Sequence, residues 1–137
     1  MLQKKNKRDT IPKIHFGEKL VTYQFRNVLK AVRGEETISE VVTAKDNLDT
    51  GVAFADIIYS VPHYHLKTIE TYHLVSGKLR IWVGTETYVL KKPGQCVLIP
   101  KGAVHRAESL EAGKPARVLV TSIPAWTPKD HHYPIKE

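Results

Sequence analysis

Three imidazoles and one carboxylate are the side chains of this sequence best placed to do chemistry together. His63 and His65 flank Tyr64. In extended backbone, residues two apart project to the same face, so both rings can aim at one point. Imidazole is also the commonest metal ligand. Glu70 lies five residues beyond His65. That odd offset would put its carboxylate on the opposite face of a straight strand. Glu70 therefore joins the pair only if Leu66-Lys67-Thr68-Ile69 contains a turn or bulge. His105 follows Pro100-Lys101-Gly102, a corner sequence that can deliver a further ligand from a neighbouring strand.

The spacings form a recognisable pattern. His63-x-His65 is followed after four residues by Glu70 and after six more by Gly77. Gly94 is followed after five residues by Pro100-x-Gly102, and after two more by His105. Together these resemble the two motifs of the cupin family. Two positions depart from that pattern: Ile57 stands where the first motif begins with Gly, and Ser109 where the second ends with Asn. Neither is a metal ligand in the family. The resemblance implies an all-β, double-stranded β-helix (jelly-roll) barrel with His63, His65, Glu70 and His105 as ligands to one divalent metal ion. Such a nitrogen/oxygen shell suits Mn, Fe, Ni, Co or Zn. On an octahedral ion it leaves two positions for water, dioxygen or substrate.

The resemblance implies a metal-dependent enzyme on a small polar molecule, of dioxygenase, decarboxylase or sugar isomerase/epimerase type. The alternative is a non-catalytic small-molecule-binding or sensor module, because fold alone does not decide function. Tyr72 is expected on Glu70's face, where it can line the pocket. His73 is expected on the other face, in packing or a subunit interface. His131 and His132 read as surface residues of a Pro-flanked tail, and Trp82, Tyr88 and Trp126 as packing residues. Arg106 and Lys67 adjoin the ligands but should face away from them.

The elements that must hold this constellation are short strands punctuated by Gly and Pro, which argues a sandwich or barrel. The β-branched and alternating runs predict strands over 20–25, 27–32, 38–44, 52–59, 70–75, 78–83, 86–90, 96–99, 103–109 and 116–123. Residues 27–32 could instead make a helical turn. Ser76-Gly77 reads as a hairpin turn, and Asp46 to Gly51 as a turn cluster. The expected organisation is a basic N-terminal arm (1–15), a barrel (16–123) and an extended C-terminal tail (124–137).

Composition bounds the rest. With 137 residues and 42% hydrophobic content, the chain fits one domain with a core of its own. No run of about 18 apolar residues suggests a membrane span, and the N-terminus does not read as a secretory signal. The single cysteine, Cys96, excludes an internal disulfide and favours a cytoplasmic setting; its apolar surroundings predict burial. The net charge of +7 sits largely in the first thirteen residues. No nucleic-acid-binding motif accompanies it, and a basic surface equally suits a small acidic substrate. A homodimer is the expected assembly, since exposed strand edges need cover.

Overall fold

The structure is a computed structural model that describes residues 27–135. The arm 1–15, His15 and the candidate strand 20–25 lie outside the described residues. Among the described residues, nine strands account for nearly all regular structure: β1 (Asn27–Lys30), β2 (Glu35–Val42), β3 (Gly51–Tyr59), β4 (Ile69–Ser76), β5 (Leu79–Val83), β6 (Glu86–Leu90), β7 (Cys96–Ile99), β8 (His105–Ser109) and β9 (Ala116–Ile123). Single 3-10 turns occur at Ala44–Asp46 and Pro128–Asp130. Among the described residues, no helix is long and apolar enough to cross a membrane.

Every pairing is antiparallel, and the sheet runs β6-β5-β8-β3-β9-β4-β7 with β2 and β1 added beside β3. β3 hands over from β9 to β8 at its end, where Tyr59 pairs with Glu108. The sheet thereby curls on itself as a nearly closed jelly-roll barrel. Alternation decides what fills it. On β5 the residues Leu79, Ile81 and Val83 are buried while Arg80 and Trp82 face outward. Ile57, Leu74, Ile99, Ala107, Ala116 and Val118 complete the dry part of the core. Period-2 patterning of this kind is what one buried face imposes on a strand.

Several expectations change. Residues 27–30 form the expected strand, and the alternative of a helical turn is set aside. Ser76-Gly77 is not a hairpin: β4 pairs with β7 and β9, whereas β5 pairs with β6 and β8. The glycine serves a crossover instead. Gly77 has φ of 81°, and an added Cβ would come within 3.0 Å of the Ala116 backbone, so only glycine lets the chain pass there. Cys96 is exposed, because β7 buries Val97 and Ile99 and turns Cys96 and Leu98 outward. Trp82 is half-buried on the outer surface, under the Arg106 guanidinium at 3.5 Å, and Tyr88 is exposed.

Candidate metal centre

His63, Tyr64 and His65 lie between β3 and β4 in extended backbone held by two isolated bridges, His63 with His105 and Tyr64 with His132. The His63 and His105 backbones exchange two hydrogen bonds of 3.0 and 2.9 Å. The first pair of rings is thus tied directly to the strand that carries the third. The corner before His105 closes through the Ala103 amide donating to the Pro100 carbonyl at 3.2 Å, with Gly102 at φ of 83°. The Gly102 amide also donates to the His65 carbonyl at 2.6 Å.

The irregularity that Glu70 demands is present. The chain bends at Leu66 and Lys67 before β4 begins at Ile69. Both freed amides donate to the Asp130 carboxylate, at 2.8 and 2.9 Å. Beyond the bend Glu70 points inward beside the rings. Its Oε1 lies 3.3 Å from His65 Nε2 and 3.4 Å from His105 Nε2. Three ligand nitrogens, from the buried His63, His65 and His105, come within 4.8 Å of one another.

The ring orientation is fixed from behind. Nδ1 of His63 donates to the Val61 carbonyl at 2.7 Å, that of His65 to Asp130 at 2.8 Å, and that of His105 to Ala103 at 3.0 Å. A proton on each Nδ1 leaves a lone pair on each Nε2, which is how metal-binding histidines are commonly oriented. His65 Nε2, His105 Nε2 and Glu70 Oε1 are buried and have no hydrogen-bond partner. Lone pairs converging on a carboxylate are mutually repulsive and costly to bury. A shared cation removes that cost, so these residues fit a divalent metal.

Electrostatics agree. Burial, and then the nearness of His105, push His63 down to about 3, which keeps this ring neutral. Burial alone would raise Glu70, but contact with His105 and His65 outweighs it and holds the carboxyl well below the usual range. Burial opposes charge on His65, yet the Glu70 contact raises its basicity. In metal-free protein a proton would be shared between these two groups, and a divalent ion held here would displace it.

The centre opens onto a cavity of about 460 Å³, well within the range of small-molecule sites. Tyr72 lines it, only 4% exposed, with its ring edge-on to His105 at 6.3 Å. Burial, Glu70 and Glu36 push its hydroxyl well above the ordinary tyrosine value. His73 faces away and bonds Thr71 Oγ1 at 3.0 Å. Arg106 lies over Trp82 on the outside, and Lys67 is exposed.

Some residues were misplaced or missed. His131 is not a plain surface residue: it stacks on His63 at 4.6 Å with planes 9° apart, and its Nδ1 is buried without a partner. Trp126 stands edge-on to His131 at 5.9 Å and lines the cavity. The tail is therefore a wall of the site. Glu36 was overlooked because the β2 pattern seemed to start at Ile38. It shares its face with Ile38, Glu40 and Val42, all of which line the cavity. Burial and then the charge of Glu70 raise its carboxyl to about 7. Glutamates alternating with Ile38 and Val42 on one face of β2 were the available signal.

The family model described as Cupin domain matches residues 59–122, the segment that contains all four inward-pointing groups. This chain carries a cupin domain. None of the curated proteins matches the sequence. Solved structures share the cupin fold at low identity. The cupin-2 domain protein Rru_A2000 from Rhodospirillum rubrum has 13% identity and a TM-score of 0.67, covering 85% of this chain and 81% of its own. Pac13, described as a nucleoside dehydratase, has 12% identity and a TM-score of 0.66, covering 83% and 90%. KdgF from a Halomonas species has 18% identity and a TM-score of 0.59, covering 77% and 90%.

Proposed function

We propose that this cupin is a metal-dependent enzyme that transfers a proton at a small polar substrate, as in isomerisation, epimerisation, dehydration or decarboxylation. His63, His65, Glu70 and His105 would hold one divalent ion of the Mn, Fe, Ni, Co or Zn group. When bound, it supplies a Lewis acid for a substrate oxygen. The observation that carries this reading is the pair of unlike acids in one cavity. Glu70 is held ionised among imidazoles, whereas Glu36 is poised near neutrality on another wall. Carboxyl groups whose environments push them apart are the usual mark of divided acid and base roles.

Glu36 is the proton-transfer group in this reading. Near pH 7 it can either take a proton from carbon or hydroxyl, or return one. Tyr72, protonated throughout the physiological range, donates a hydrogen bond to a substrate oxygen. The apolar wall of Ile38, Ala55 and Val120 limits water around both. Placing Glu36 in the cavity favours proton transfer over dioxygenation. The dehydration named for Pac13 is a reaction of this class on the same fold.

The test is solvent exchange. Metal-loaded protein is incubated in D2O with a panel of hydroxy and oxo compounds and followed by proton NMR. Deuterium uptake at carbon that disappears in Glu36→Gln, while the metal stays bound, is the expected result. Binding without exchange or turnover across the panel would instead favour the small-molecule-binding or sensor module.

The assembly we propose is a homodimer through the outer face of β4, β7 and β9. Ile69 pairs with Ile123 and Thr71 with Leu98, and Ile69, Val75, Leu98 and Ile123 are all exposed there. An apolar patch of this kind commonly marks an interface. Light scattering should give a dimer for the wild type and a monomer for Leu98→Asp; a wild-type monomer sinks the assignment.

A further inference from the structure

Beyond the metal centre, the cavity mouth carries an arginine held ready for a ligand. Arg33 lies in the β1–β2 turn, which closes through the Ala31 amide donating to Glu36 at 2.9 Å. Gly34 fixes the path of that turn. It has φ of 84°, and an added Cβ would lie 2.8 Å from the Tyr59 carbonyl oxygen. The turn therefore packs its backbone closely against the end of β3.

The Arg33 guanidinium lies over the Tyr133 ring at 4.2 Å. Tyr133 is itself held by the tail, where His132 and Tyr64 exchange backbone hydrogen bonds of 2.9 and 3.0 Å. Stacking engages the face of the guanidinium and leaves its in-plane N–H donors available. Among the described residues, no carboxylate forms an ion pair with Arg33. Glu40, which also lines the cavity, is occupied by Asn27 at 3.0 Å. Lys30 lines the same mouth. A chain of rings connects Arg33 to the metal centre, by steps of 4.2 Å to Tyr133, 5.3 Å to His131 and 4.6 Å to His63.

We infer that Arg33, braced by Tyr133 and assisted by Lys30, binds the carboxylate of a small acid whose opposite, oxygen-bearing end reaches the metal centre. This rests on the metal-site reading above and names the substrate class it takes. A planar guanidinium with free edge donors matches a carboxylate in a two-point bond. A divalent ion with Glu70 as its one anionic ligand would keep a net positive charge, and together with Arg33 and Lys30 it would outweigh the Glu36 and Glu40 carboxylates that line the same cavity. A carboxylate at the far end is sorted by Arg33, leaving the hydroxyl or carbonyl end for chemistry.

The experiment uses D-glucuronate, D-glucose and D-glucose 6-phosphate as probes, titrated calorimetrically into zinc-loaded and metal-free protein. Zinc affinity is measured separately. Zinc-loaded wild type should bind glucuronate about tenfold tighter than glucose, as expected for a charge-assisted pair. Arg33→Gln should erase that gap with zinc affinity unchanged, and Arg33→Lys should keep part of it. No binding of glucuronate, no gap, or a gap that survives Arg33→Gln overturns the inference, the last because the carboxylate then sits on the metal. Tighter binding of the phosphate probe overturns the carboxylate assignment. A wild type that binds no zinc but keeps an Arg33-dependent gap defeats only the metal reading.

Discussion

Asp130 holds His65 from two sides: its backbone carbonyl accepts the His65 Nδ1 proton at 2.8 Å, and its carboxylate accepts the amides of Leu66 and Lys67. One residue from the tail thus sets both the tautomer of His65 and the bend that brings Glu70 inward. Asp130 is almost fully buried. Burial would raise its carboxyl, but the Leu66 and Lys67 amides outweigh it and hold it below the ordinary value.

Asp130→Ala should therefore act on the site at a distance. It leaves two amides uncapped, at a cost of about 1–3 kcal/mol, and should weaken metal binding by about 10–100-fold, as losing an orienting partner commonly does. Chemical denaturation and metal titration measure the two effects. Unchanged metal affinity would show that the ring is oriented by packing alone.

Metal binding should follow the protonation of the ligands. Affinity is expected to fall as pH drops into and below the ordinary imidazole range, because imidazole must shed a proton to coordinate and the Glu70 contact makes His65 more basic than usual. At a free metal concentration one hundred times Kd, folding should gain about 2.7 kcal/mol, and a chelator should remove it. Alanine at His63, His65 or His105 should abolish that gain. Affinity that stays flat from about pH 5 to 8 would contradict the ligand set.

Glu36 makes the metal-free protein less stable as pH rises. Its folded value is raised to about 7 from an ordinary 4.5, so between those values the folded state binds more protons than the unfolded one, and stability falls with rising pH. Below about 4.5 both states are protonated and the penalty vanishes. Glu36→Gln should be more stable than wild type above pH 7, by up to about 3 kcal/mol, and equal to it near pH 4. A variant with the wild-type pH slope would refute the assignment.

The dry core and the outer face should respond differently to truncation. Ile81 is fully buried, and Ile81→Ala should cost about 2–5 kcal/mol. Arg117 makes a two-point contact with Asp56 at 2.8 and 2.9 Å on the outside. It is exposed enough that Arg117→Ala should cost less than about 1 kcal/mol. Urea midpoints of the two variants check the order.

The sequence made the barrel legible because one face of each strand is buried, so β3, β5 and β9 stand out by alternation. Three histidines and Glu70 were legible by spacing, including the bend between His65 and Glu70. The partner of that bend was not, since Asp130 lies far along the chain from Leu66. Ser76-Gly77 misled because a glycine with positive φ serves a crossover as well as a hairpin; only the pairing of β4 with β9 separates them. Cys96 misled because β7 lies at the sheet edge and turns every second residue outward. Glu36 and His131 escaped because each reaches the cavity from a segment outside the cupin motifs.

The last strand-free segment also sets the order of assembly on the ribosome. The nine strands of the described residues precede Asp130, His131 and Tyr133, so a nascent barrel can close before the latch for His65 has been synthesised. Ribosome-stalled chains that expose residues through Ile123 should fold yet retain metal poorly, and should gain it once Asp130 emerges. Equal metal retention at both lengths would show that the nascent barrel orients His65 unaided.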